Sequence, residues 1–133
     1  MTTYTEFITG LSGMTVSGVV RNLAYPPASI NASDLPLLFI QLPRGEDGAI
    51  TFDGGVTWPK LRAEVVVVIE PVGQARSPES FAACMTMMDS LSAALAAAQN
   101  ITKSRITWSI RQDGVEVAGN TYWAVVAEVE GRG

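Results

Sequence analysis

Histidine is absent from this chain, and cysteine occurs once in its 133 residues. Zinc sites built on His or Cys within one chain are therefore excluded. So are histidine-dependent triads, Cys–His dyads and histidine pH switches. An intrachain disulfide cannot form. Charge is scarce as well: 17% of residues are charged, against roughly a quarter in an average globular protein. The 9 basic and 13 acidic residues leave a net charge of −4, which disfavours gripping a phosphate backbone. Strongly apolar runs such as Val65–Ile69 are far shorter than the roughly 20 residues of a membrane span. Residues Met1 to Glu6 carry neither the basic nor the apolar region of a signal peptide. No membrane association is expected, and synthesis in a cytosol is.

What is present suits a single globular domain over 1–133. The hydrophobic fraction is 47%, ordinary for a packed protein and too high for a disordered one. A chain of this length buries enough surface to need no staple.

Tyr4, Phe7, Ile8 and Leu11 recur at helical spacing, which predicts a short helix over 3–13 with Gly13 as its stop. Val16 to Leu23 reads as a first strand, and the Pro, Ser and Asn content of Tyr25 to Asp34 as a loop. Leu35 to Pro43 is an apolar segment between prolines and reads as a buried strand. Lys60 to Glu70 is the clearest strand, with Leu61, Ala63, Val65, Val67 and Ile69 on one face. On the other face Val66 and Val68 lie between charged ends, which implies a cover at the centre.

Ser77-Pro78-Glu79 is a helix start, with a serine N-cap, proline at N1 and an acid at the positive helix end. The helix should run to Ala98 and bury Phe81, Cys84, Met85, Met88, Leu91 and Leu95, leaving Met87 to face a partner. Its alanines leave a smooth, uncharged surface that another subunit could approach. Ile106 to Arg111 and Tyr122 to Glu130 read as two closing strands, with a turn at Asp113-Gly114 and a bulge or second turn at Gly119-Asn120. The expected fold is α+β: a mostly antiparallel sheet with two helices packed on one face and an extended glycine-rich arm over 44–58.

That arm holds Glu46, Asp47 and Asp53 among four glycines, with Phe52 and Trp58 as apolar anchors. It reads either as a small hairpin folded on its own sheet or as an element that orders on a neighbour. Its acids lack the spacing of a calcium loop, so no metal site is expected. The glycines at 10, 13 and 18 match neither a dinucleotide nor a phosphate-loop spacing, so no cofactor is expected. Glu64 with Glu70, or Glu128 with Glu130, could be read as paired carboxylates, but solvated strand ends are the plainer reading. Cys84 falls in a core stripe, as an inert thiol would. Arg105 and Arg111 share a strand face, and cross-strand pairing with Glu128 and Glu130 accounts for them. No catalytic residue is expected.

The order of elements resembles the tail terminator proteins of long-tailed bacteriophages, including the lambda-like minor tail protein. The similarity rests on the N-terminal helix, the Asp34-Leu35-Pro36 step into Leu37-Leu38-Phe39-Ile40, and the glycine-rich acidic region before a long strand. It continues through a single helix, Pro78 to Ala98, to a terminal hairpin ending Thr121-Tyr122-Trp123-Ala124-Val125-Val126-Ala127-Glu128-Val129. The resemblance implies a non-enzymatic virion protein of the tail and neck, assembled in the host cytoplasm. It would form a hexameric ring that caps the tail tube, stops its growth and meets the head-closure or neck protein. DNA would pass through the lumen without specific binding. Two alternatives stand beside it: another phage neck or tail-assembly protein, and a small ferredoxin-like enzyme or ligand-binding domain.

Overall fold

The computed structural model describes residues 4–30, 32–41, 51–52, 59–71, 77–98 and 105–132. Helix α1 (Tyr4–Ser12) leads to strand β1 (Arg21–Leu23), a 3-10 turn at Ala32–Asp34 and strand β2 (Leu37–Gln41). Then follow β3 (Thr51–Phe52), β4 (Pro59–Pro71), helix α2 (Ser77–Ala98), β5 (Arg105–Val117) and β6 (Asn120–Arg132). Five strands lie in the spatial order β1-β2-β4-β6-β5, and β3 adds to β4. Only the β1–β2 pair is parallel, so the sheet is mixed and mostly antiparallel.

The pleat of β4 separates two cores. Val65 and Val67 face the helices with Leu38, Ile40, Val125 and Ala127, against Phe7 and Leu11 of α1 and Leu91 and Leu95 of α2. Both helices therefore pack on the same sheet face. Val66 and Val68 point the other way, into a smaller cluster with Phe39, Val117, Tyr122, Ala124 and Val126. Leu23, Ile30 and Leu35 complete it. The cover over Val66 and Val68 is thus supplied by the chain's own loop and hairpin tip. All four valines are fully buried, each contributing about 1.5–3 kcal/mol by area, an upper figure.

Several boundaries follow the local chemistry. Gly13 N–H donates to the Thr9 carbonyl at 3.1 Å, and the Asn22 side-chain amide donates to the carbonyls of Ser12 and Met14 at 2.9 and 2.7 Å. These bonds close the C-terminal end of α1. Gly131 sits under α1: a Cβ there would lie 2.8 Å from Phe7 Cε1, so β6 needs glycine where the helix approaches.

The expected first strand over 16–23 shortens to β1. A turn bonds Val19 N–H to the Val16 carbonyl, and Gly18 at φ 89° breaks the extended run. The expected turn at Asp113-Gly114 is a correction too. Those residues lie within β5. One residue before the second expected turn at Gly119-Asn120, the chain reverses at Ala118-Gly119, between the paired Val117 and Asn120. Both turn residues have positive φ, 53° and 82°, as a two-residue type I′ hairpin requires.

Helix α2 has the predicted ends but a rotated buried stripe: Cys84, Met87, Leu91, Ala94, Leu95 and Ala98. Phe81 and Met85, expected inside, are 55% and 47% exposed, whereas Met87, expected to face a partner, is 6% exposed. The docked face combines the large Met87, Leu91 and Leu95 with the small Cys84, Ala94 and Ala98.

Ala118 occupies a conformation that costs an L-residue about 1 kcal/mol, and its side chain is exposed. Ala118→Gly is therefore expected to raise stability by about 0.5–1 kcal/mol, read as an upward shift of the urea midpoint. An unchanged or lower midpoint would show that the turn is not strained.

Candidate functional site

Two surfaces remain after the cores are accounted for. The first is the uncovered part of the sheet face opposite the helices, an open trough of about 1120 Å³. On β4 and β6, Glu64 lies directly opposite Glu128, and Arg62 opposite Glu130. Arg111 on β5 reaches both carboxylates of the first pair, at 3.5 Å to Glu64 and 3.2 Å to Glu128. It also meets Asp113 at 3.4 Å. Gln41 on β2 donates to Glu64 Oε1 at 2.6 Å, and Arg62 pairs with Glu130 at 3.5 Å.

The Glu64 side chain is 13% exposed and that of Arg111 is 45% exposed. Burial works against the charge on Arg111, but Glu128, Asp113 and Glu64 outweigh it and leave its pKa raised. Two like charges placed directly opposite on a sheet repel; here a guanidinium that reaches both offsets part of that repulsion. Among the described residues the arrangement is an ionic network running across four strands, with four carboxylates against two guanidiniums.

The pairings expected from the sequence are met in part. Arg111 does pair with Glu128 and Glu130 meets Arg62, while the Arg105 side chain lies outside the described residues. Glu64 and Glu70 are separated: a register shift between Val68 and Glu70 turns Glu70 to the helix side, where its charge acts on Cys84. The opposition of Glu64 and Glu128 escaped the sequence reading, because it depends on strand register. Cys84 is 1% exposed. Burial raises its pKa most, the hydrogen bond from Gln112 lowers it and Glu70 raises it further, so the thiol stays protonated at neutral pH. Among the described residues no cluster of three or more His, Cys, Asp or Glu is placed to hold a metal.

The second surface comprises the sheet edges and the outer side of α2. Residues Phe81–Ala98 have a mean hydropathy of 1.4, high enough for a membrane span by length and composition, yet only a third of that stretch is buried. Its buried stripe docks on the sheet, as in a core helix. Its outer side presents Phe81, Met85 and alanines at 82, 83, 93, 96 and 97, with Asp89. Among the described residues, β5 pairs only with β6 and β1 only with β2, so each leaves a row of unpaired backbone groups.

Of the interface candidates in the arm, Glu46, Asp47, Asp53 and Trp58 lie outside the described residues. Phe52 does appear: Thr51 and Phe52 pair antiparallel with Lys60 and Pro59. Met87 leaves the candidate set, because it packs inside beside Gly18.

No family model matches this chain, and no curated protein matches it.

Arg111→Ala would leave Glu64 and Glu128 facing each other. With solvent screening at the exposed guanidinium, the expected loss is about 1–2 kcal/mol, measured by urea unfolding. Adding Glu128→Gln should recover part of it. Equal stability of Arg111→Ala and the parent would mean that the network carries no net repulsion.

Proposed function

We propose that this chain is a phage virion assembly protein of the tail-terminator type. Copies form a ring that caps the tail tube, ends its polymerisation and offers a surface to the head-closure or neck protein. It works without catalysis or cofactor, and DNA traverses the lumen past an acidic protein that does not hold it. The observation that carries this reading is the charge-poor outer side of α2 beside an open sheet edge, a surface suited to contact with copies rather than with water. The element order supports it: a short helix, an Asp34-Leu35-Pro36 step into a strand, a long strand, one long helix and a terminal hairpin. A small ligand-binding domain is the second reading, favoured by the trough. The ion pairs of Glu64 and Glu128 with Arg111 weigh against using those carboxylates in acid–base chemistry.

Light scattering and electron microscopy of the purified chain mixed with tail tubes test the proposal. Ring-shaped caps that stop tube growth are expected. A chain that stays monomeric at every concentration and leaves tubes uncapped would overturn it.

The arm 44–58 is assigned to contacts within the assembly. Deleting residues 46–56 is expected to keep the far-ultraviolet circular dichroism of the parent while impairing tube capping. Normal capping by the deletion variant would remove the arm from the assembly role.

A further inference from the structure

The large hydrophobic side chains exposed on the described residues are Val20, Tyr25, Phe81 and Met85. They fall into two pairs, one at each edge of the sheet. Val20 and Tyr25 flank β1 in sequence. The position of the other pair follows from helix geometry. Gln112 of β5 donates to Cys84 Sγ at 3.4 Å, and Met87 Cε lies 3.5 Å from the Cβ position of Gly18, in the segment after α1. At about 100° per residue, Met87 is rotated about 60° from Cys84 in one sense, and Phe81 and Met85 about 60° and 100° in the other. Phe81 and Met85 therefore lie on the side of α2 away from α1, next to β5 and its open edge.

Both edges can pair. The closing pair of a two-residue hairpin is hydrogen bonded, and alternation from Val117 points the amides of Ile106, Trp108, Ile110, Gln112 and Gly114 outward. The Gly114 amide is taken by the Asp113 carboxylate at 2.8 Å, so among the described residues the open stretch is Ile106 to Gln112. On β1 the Val20 amide bonds inward to the Pro36 carbonyl at 2.8 Å, which points those of Arg21 and Leu23 outward. Val20 shares the helix-bearing face with Asn22, whose amide reaches the end of α1. Phe81 and Met85 stand on that same face.

Resting on the assembly reading above, we infer that the partner at β5 is the β1 edge of a second copy of this chain, with Val20 seated on Phe81 and Met85. A two-fold pairing of β5 with β5 would bury one apolar pair and leave the other in water. The head-to-tail contact buries apolar groups from both edges and joins the sheets with all helices on one side. Such a heterologous contact repeats from copy to copy and closes into a ring when its rotation permits.

Two variants that change only exposed side chains test the contact. Val20→Glu blocks the β1 edge, and Phe81→Glu/Met85→Glu blocks the β5 side; circular dichroism verifies that each is folded. Native mass spectrometry should find the parent in species larger than a dimer, each variant alone as a monomer, and their equimolar mixture as a one-to-one dimer. The mixture has one intact edge of each kind and can make one contact only. Val20→Glu assembling like the parent, or a mixture that stays monomeric while the parent assembles, would overturn the edge assignment and leave the ring reading standing. A parent that remains monomeric alone and with tail tubes would overturn both.

Discussion

Val65 to Val68 on β4 pair with Ala124 to Ala127 on β6, and none of these eight residues is more than 2% exposed. This strand pair is buried on both faces, which is unusual for antiparallel strands in a small domain. Its presence dictates what surrounds it. One face takes both helices, through Phe7, Leu11, Leu91 and Leu95. The other is closed by Phe39, Val117 and Tyr122, with Ile30 and Leu35 from the loop before β2. Small residues on β6 opposite valines on β4 let the layers approach closely enough to exclude water.

Building outward from that pair consumes the chain's large apolar residues unevenly. The centre of the sheet is doubly covered, while β1 and β5 keep one side open. The charges concentrate where the second cover stops, in the network of Gln41, Glu64, Arg111, Glu128, Arg62 and Glu130. That network is held by cross-strand partners, with Arg111 and Arg62 offsetting part of its acidic charge, which makes it a wall of the fold. Among the described residues, the groups left without internal use are backbone edges and a few exposed apolar side chains, which suit the association proposed above.

Much of this was legible in the sequence where one residue's chemistry decides the local structure. The Ser77-Pro78-Glu79 start and the end of α2 at Ala98, the alternation of β4 and the inert position of Cys84 all follow from local rules. The failures occurred where tertiary contacts decide. Asp113-Gly114 is a favourable turn pair, but strand pairing extended through it and placed the turn at Ala118, a residue with no turn preference. Phe81 and Met85 fit the helical stripe by size, but the face that docks is rotated to carry Met87, Ala94 and Ala98 beside Leu91 and Leu95. The opposition of Glu64 and Glu128 depends on register, which a single strand does not encode. Of the arm, Thr51 and Phe52 are described, in the short β3–β4 pairing.

The central claim is that the two sheet edges meet each other in neighbouring copies. Hydrogen exchange followed residue by residue as protein concentration rises tests it most directly. The amides of Trp108, Ile110 and Gln112 on β5 should gain protection together with those of Arg21 and Leu23 on β1, at the same concentration. Protection gained by β5 alone, or by neither edge as the assembly forms, would contradict it.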